Sequence, residues 1–366
     1  MNSPQSSPDK GRSYSIEEAT QEMLPGIIEL LEGFEYPFGQ DHYVWRYHEA
    51  ASGSLIIVAR SSGETVGHYG YIKRPFYIDN DRTMMALAAD LYVRKDFRGR
   101  AAYFRMSTAA RKKFVKEEVE YTYGFPNALS GPVTKRAKAE STEFLPLYLK
   151  VFNLEAVVRN IKRFRIPGVL SSAAGLLFKG SGLRMPQGIS VEAVKTCPDG
   201  LDELFQRVME DPARRFVNIG DRTAGFIDWR FFSCPDRDYV FLAATDRSGV
   251  LRGYAILRIL NVMGMREGVI VDIFHAPYDL DTCTALVKSA LDHFSRARVD
   301  LLASMISDTA TCIPDVLIKA GFRRFRKLLN PRPWVLAIRR TDLAQIMPVV
   351  LDSKKWFLTW GDCDVF

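Results

Sequence analysis

The sequence predicts a mixed α/β protein built from two tandem copies of one domain that pack together as a pseudo-dimer. Three observations predict it. The 366 residues exceed an average domain of roughly 150 more than twofold. Trp45-Arg46-Tyr47 returns as Trp229-Arg230-Phe231, 184 residues later. The stretches that follow keep one order in both places: strand, turn, strand, long strand, helix, strand.

The matches continue along the chain. Leu55–Ala59 (LIIVA) answers to Tyr239–Ala244 (YVFLAA), and the turns SSGE and DRSG lead into Val66-Gly67 and Arg252-Gly253. Asp90-Leu91-Tyr92-Val93 answers to Asp272-Ile273-Phe274-His275, and Lys138-Ala139-Glu140 to Lys319-Ala320-Gly321-Phe322. One match could be accident. Four in order, at offsets of 181 to 186, indicate duplication.

In the first copy a helix near 24–31 precedes strands at 55–60 and 65–73 and a main strand at 84–93. A helix follows, with Tyr103, Met106, Ala110 and Phe114 on one face, then a short strand at 120–123. In the second copy the main strand is 268–275, the helix 282–296 and the next strand 301–305. The expected division is a disordered tail (1–12), the first copy (13–146), a helical basic linker (147–188), the second copy (189–345) and an aromatic segment docked on the body (346–366). The linker carries Arg159, Lys162, Arg163, Arg165 and Lys179. It reads as a helix packing one apolar face, with peripheral membrane contact or an acidic partner as the alternative.

Composition narrows the class. Fifty Lys+Arg against 43 Asp+Glu give a net charge of +7, and 47% of residues are hydrophobic. Those values exclude a wholly disordered or fibrous chain. The polar start lacks the apolar core of a signal peptide, and the uncharged apolar run 166–178 is too short to span a bilayer. The expectation is a cytoplasmic protein. Five cysteines and five histidines show neither C-x-x-C nor H-E-x-x-H spacing, so neither a disulfide framework nor a metal is expected.

The chemistry concentrates in Leu91–Met106 (LYVRKDFRGRAAYFRM). A strand runs into Arg98-Gly99-Arg100-Ala101-Ala102 and a helix begins there. That geometry aims successive backbone N–H groups and a helix dipole at one spot, which suits a pyrophosphate. Small residues at 99, 101 and 102 let phosphates approach the backbone. Residues 94–116 hold nine Lys or Arg and one Asp. The second copy has Ala276-Pro277-Tyr278-Asp279-Leu280-Asp281 instead, whose carboxylates would repel a phosphate. One cofactor site is expected, in the first copy.

The strand, the Arg98-Gly99-Arg100-Ala101-Ala102-Tyr103-Phe104 loop and the following helix resemble motif A of the GCN5-related N-acetyltransferases. The next strand with Gly124-Phe125-Pro126-Asn127 is similar to the same superfamily, and the duplication resembles its tandem bacterial members. Ala101 and Tyr103 depart from the motif's Gly and Gly/Ala. The resemblance implies acetyl-CoA or another acyl-CoA as donor. It would lie on Arg98–Phe104 and the backbone near Tyr92, Val93 and Arg94, with Asn127 beside its pantetheine arm. Ser130 is a further contact for donor or acceptor. It implies direct N-acyl transfer to an amine, from a small molecule to a cell-envelope or polysaccharide precursor, with no specific nucleic acid. Asp90 is the candidate base, because a lone acid in an apolar strand should have a raised pKa. Tyr121 and Tyr123 are candidates for the acid that protonates the thiolate, and no metal is implied. Two alternatives stand: a FemABX-type transferase using charged tRNA, with basic clusters at 159–165 and 323–327 as its footprint, and a non-catalytic acyl-CoA-binding regulator.

Overall fold

The structure, a computed structural model, describes residues 13–34, 38–99, 101–126, 131–136, 138–163, 182–262, 264–307, 311–325 and 335–363. The first half supplies strands β1 (Ser15–Glu18), β2 (Ser54–Ser61), β3 (Glu64–Ile78), β4 (Asp81–Val93), β5 (Val119–Gly124), β6 (Glu140–Phe144) and β7 (Leu147–Val151). Its helices are α1 (Leu24–Leu31), α2 (Gln40–Tyr43), α3 (Ala102–Lys116), α4 (Gly131–Arg136) and α5 (Leu154–Arg163). The second half supplies β8 (Ile189–Val194), β9 (Asn218–Gly220), β10 (Tyr239–Asp246), β11 (Leu251–Val262), β12 (Met265–His275), β13 (Leu301–Met305), β14 (Arg323–Phe325), β15 (Val335–Arg340) and β16 (Trp356–Phe357). Its helices are α6 (Leu201–Glu210), α7 (Ala224–Ile227), α8 (Leu280–Arg296), α9 (Ile313–Lys319) and α10 (Pro348–Leu351).

The strands form two mixed sheets of the same design. One runs β1-β2-β3-β4-β5-β15-β6, the other β8-β10-β11-β12-β13-β7-β14. In each, one parallel pair, β4–β5 or β12–β13, is joined by the crossover helix α3 or α8, because a parallel return needs a long connection. The helical spacing read in α3 is real: Met106, Ala110 and Phe114 are buried against the sheet.

The linker expectation needs correction at its start. Leu147–Val151 is not helical linker but strand β7, which enters the second sheet between β13 and β14. Val335–Arg340 makes the reverse journey and enters the first sheet between β5 and β6. The two halves therefore exchange one strand each, as in a domain-swapped dimer. Leu336 and Ile338 are fully buried in the sheet of the other copy. Lys150 stays buried because its Nζ donates to Ala320 O at 2.8 Å at the C-terminal end of α9, where the helix dipole favours a cation. Helix α5 follows, and 164–181 lie outside the described residues.

The repeated Trp-Arg motif marks the pseudo-twofold axis. Each copy sits on a π-turn, Val44–His48 and Asp228–Phe232. The rings of Trp45 and Trp229 stack at 5.3 Å. Trp45 Nε1 donates to Trp229 O at 2.7 Å and Trp229 Nε1 returns the bond to Trp45 O at 3.0 Å. This reciprocity is the signature of an isologous contact. The largest apolar cluster accordingly draws on both halves.

Candidate functional site

The loop after β4 turns through two left-handed residues into the start of α3. Gly99 (φ 78°) and Ala101 (φ 59°) are both left-handed, a conformation glycine adopts freely and alanine at a cost. Ala101 supplies no side-chain cap to α3, and the first turn of α3 has no acid. The first intrahelical bond after Ala101 runs from Arg105 N to Ala101 O. Among the described residues no side chain caps the opening N–H groups of α3, and the dipole adds to a basic surface. Arg98 holds the loop against the strand: its Nε donates to Val93 O at 2.8 Å and its guanidinium lies 5.5 Å from the Tyr92 ring centroid. Arg94 is already paired on the surface with Glu64 and Asp96. Ala102 is buried under the first turn, and Phe104 is partly exposed with its ring edge-on to Tyr103. Arg100, Asn127 and Ser130 lie outside the described residues.

A cleft leads inward from this loop. Strands β4 and β5 are paired only from Met84 to Leu87, against Val119 to Tyr123, and then diverge. The gap is a cavity of about 240 Å³ between Ala88–Leu91 and Thr122–Pro126. Tyr69, Tyr71 and Tyr103 form its wall, with Ser107 and Arg111 from α3. Tyr103 does not crowd the loop as its bulk suggests, because its ring turns into this wall 5.6 Å from Tyr69. Arg339, Arg340 and Thr341 close the far side. They come from the exchanged strand β15 and the residue that follows it, so nothing in the local sequence announces them. Arg339 Nη1 donates to Ser107 Oγ at 3.2 Å, while its Nε is buried without a partner among the described residues.

Asp90 does not have the raised pKa expected of a base. It sits at φ 50° in a β-bulge where Asp90 and Leu91 together oppose Tyr69. Arg46 Nη1 donates to both carboxylate oxygens, at 3.0 and 2.9 Å, and the Tyr47 hydroxyl donates at 2.6 Å. Burial alone would raise the pKa, but the Arg46 charge and the Tyr47 bond outweigh it and hold the carboxyl below its ordinary value. The strand alone could not show this, since Arg46 and Tyr47 arrive from a π-turn more than 40 residues upstream. Gly70 makes the contact feasible, because a Cβ there would meet the Tyr47 hydroxyl oxygen at 2.1 Å. The backbone of the bulge is fixed as well: His68 Nδ1 bonds Asp90 O at 2.8 Å, and the Tyr43 hydroxyl lies 3.1 Å from His68 Nε2.

Of the two candidate acids, only Tyr123 borders the cavity. Burial raises its pKa well above the ordinary phenol value, although Arg74 opposes the shift. Its hydroxyl is therefore protonated at neutral pH. Tyr121 is fully buried and does not line the cavity.

The second copy shows the same parts closed. The N-terminus of α8 is capped by Asp279, whose carboxylate accepts from Thr282 N at 3.1 Å and Thr282 Oγ1 at 2.8 Å. The divergence of β12 and β13 is filled by the C-terminal segment: Ile306 bridges Thr359, and Ser307 N bonds Leu358 O at 2.9 Å. Asp362 anchors that segment to Arg74 at 2.7 Å and Arg222 at 2.8 Å, and Arg222 also pairs with Asp272. All four are buried. Asp362 thus belongs to a structural ion network, and Asp364 lies outside the described residues.

The alternative footprints are thinner. Arg159 is paired with Glu155 on the surface of α5, and 326–327 are not described. Among the described residues no helix is long and apolar enough to cross a membrane.

No protein-family model matches the chain, and no curated protein sequence matches it. Solved structures do. A conserved protein of unknown function from Enterococcus faecalis V583, given as a probable N-acyltransferase, aligns at TM-score 0.64 and 13% identity, over 90% of this chain and 73% of the other. A GCN5-related N-acetyltransferase from Anabaena variabilis aligns at TM-score 0.63 and 12% identity, with the same coverage. A tandem protein of the same fold from the clavulanic acid biosynthesis pathway aligns at 0.56 and 14%, over 91% of this chain and all of the other. The chain therefore has the GCN5-related N-acetyltransferase fold, present twice.

Proposed function

We propose that the first copy is an acyl-CoA-dependent N-acyltransferase and that the second copy serves as its structural partner. One observation carries the reading: the helix whose N-terminus has no side-chain cap borders, through Tyr103 in its first turn, an unfilled gap between two diverging parallel strands. The pyrophosphate would lie on Arg98–Phe104, where backbone N–H groups and the α3 dipole meet it. The pantetheine arm would run between Ala88–Leu91 and Gly124–Pro126 and bring the thioester toward Leu87 and Tyr123.

The amine nitrogen attacks the thioester carbonyl carbon, the C–S bond breaks, and the amide keeps the acyl group. The sulfur leaves as thiolate and takes a proton from the Tyr123 hydroxyl. The attacking nitrogen releases one proton, which restores Tyr123 through water. Asp90, tied to Arg46 and Tyr47, holds the bulge that turns the β4 backbone into the gap. The acceptor class this geometry admits is a primary amine on a small molecule or precursor, and the donor class runs from acetyl-CoA to longer acyl-CoAs.

Thermal-shift titration of the full chain tests it. Acetyl-CoA or a longer acyl-CoA should raise Tm with concentration, by about 2.7 kcal/mol of stabilisation at a hundredfold excess over Kd. Adding primary amines should then release free CoA thiol. A shift with charged tRNA and none with any acyl-CoA would overturn the reading in favour of aminoacyl transfer.

A further inference from the structure

In the second copy, three elements that stand where the first copy would hold its donor bring together a different chemistry. His275 ends β12, Cys283 lies in the first turn of α8, and Cys312 precedes α9. One ring nitrogen and the two Sγ atoms lie within 4.8 Å of one another. All three residues are buried, at 4%, 0% and 8% exposure.

The imidazole fixes the reading. His275 Nδ1 sits 2.7 Å from Ala276 O. A carbonyl can only accept, so Nδ1 carries the proton and Nε2 presents a bare lone pair. That Nε2 is buried and has no hydrogen-bond partner among the described residues. Buried acceptors are rarely left so. His68 in the first copy shows the ordinary solution, with its second nitrogen 3.1 Å from the Tyr43 hydroxyl.

We propose that the second copy binds one thiophilic metal ion of the Zn²⁺ class through His275 Nε2, Cys283 Sγ and Cys312 Sγ. Zinc bonds of about 2.3 Å to sulfur and about 2.0 Å to nitrogen place such ligand atoms roughly 3.5–3.8 Å apart. The observed cluster reaches that with side-chain movements of about 1 Å. The Ala276 carbonyl on Nδ1 is the outer partner that metal-bound histidines ordinarily have. Thiolate ligands bind metal deprotonated, so affinity falls as the solution is acidified. The proposal stands apart from acyl transfer, because it uses only the copy that would hold no donor.

Chelator-treated, reduced full-length protein titrated with Co²⁺ tests it. One equivalent should produce a sulfur-to-cobalt charge-transfer band, and Zn²⁺ should abolish that band. Cys312→Ser and His275→Gln should each weaken the affinity at least tenfold, whereas Cys197→Ser should not. Absence of the band in the folded wild-type protein, or its survival in Cys312→Ser, would overturn the proposal. If the variants do not fold, the zinc X-ray absorption edge of the wild type decides. Two sulfur neighbours and one nitrogen support the site, and a shell of nitrogen and oxygen alone contradicts it.

Discussion

The gap between β4 and β5 and the gap between β12 and β13 start from the same parallel pairing and the same crossover helix, yet one is open and the other is filled. In the first copy the helix N-terminus is uncapped and follows a left-handed Ala101; in the second, Asp279 caps it. In the first copy a cavity of about 240 Å³ separates the strands; in the second, Leu358 and Thr359 bond to Ser307 and Ile306. A carboxylate at one cap and a tail in one slot close in the second copy what the first copy leaves open. What the second copy keeps is its scaffold role: the Trp45–Trp229 contact and the strand β15, whose Arg339–Thr341 complete the cavity of its twin.

The comparison breaks most severely at the plug. Asp362→Asn removes the carboxylate shared by Arg74 and Arg222, and breaking such a buried pair costs about 3–5 kcal/mol. Chemical denaturation should show a loss of that size. The pH dependence has a definite sign. Asp362 is held below its ordinary pKa by Arg222 and Arg74, against the effect of burial. Its contribution is therefore complete above the unfolded carboxylate value of about 3.9 and lost as pH falls through the lower folded value. The wild type should lose the advantage over the variant only in that acid range; a difference vanishing near pH 7 would contradict the assignment.

The next effect is catalytic and confined to the first copy. Tyr123→Phe keeps the ring against Phe76 but removes the proton. kcat should fall on the order of 10²–10⁴-fold with the KM for acyl-CoA little changed. A variant retaining a third of its turnover would assign the proton transfer elsewhere.

The smallest effect tests the strain in the loop. Ala101 pays for φ 59° where glycine would not, so Ala101→Gly should raise stability by about 1 kcal/mol and leave acyl-CoA affinity intact. A lower Tm would mean the loop gains more from the methyl group than its backbone loses.

The same contrast separates what was legible in the sequence from what was not. The duplication was legible because Trp45-Arg46 and Trp229-Arg230 must face each other across the axis, which fixes their spacing. The turn from β4 into α3 was legible because small residues and a helix start are contiguous. The strand exchange was not. The pattern of Leu147–Val151 reports burial, whereas membership of one sheet or the other depends on partners more than 140 residues away. Asp90 misled for the same reason, since its pKa is set by Arg46, which belongs to a different element. The cluster of His275, Cys283 and Cys312 escaped because its spacings follow the fold and no local motif.

The account stands or falls on there being one donor site per chain, in the first copy. Isothermal titration of acetyl-CoA or a longer acyl-CoA into the full-length protein measures this directly. The prediction is a stoichiometry of one, abolished by Ala101→Glu, which sets a carboxylate among the phosphates. Two equivalents, or one that survives Ala101→Glu with unchanged affinity, would contradict it.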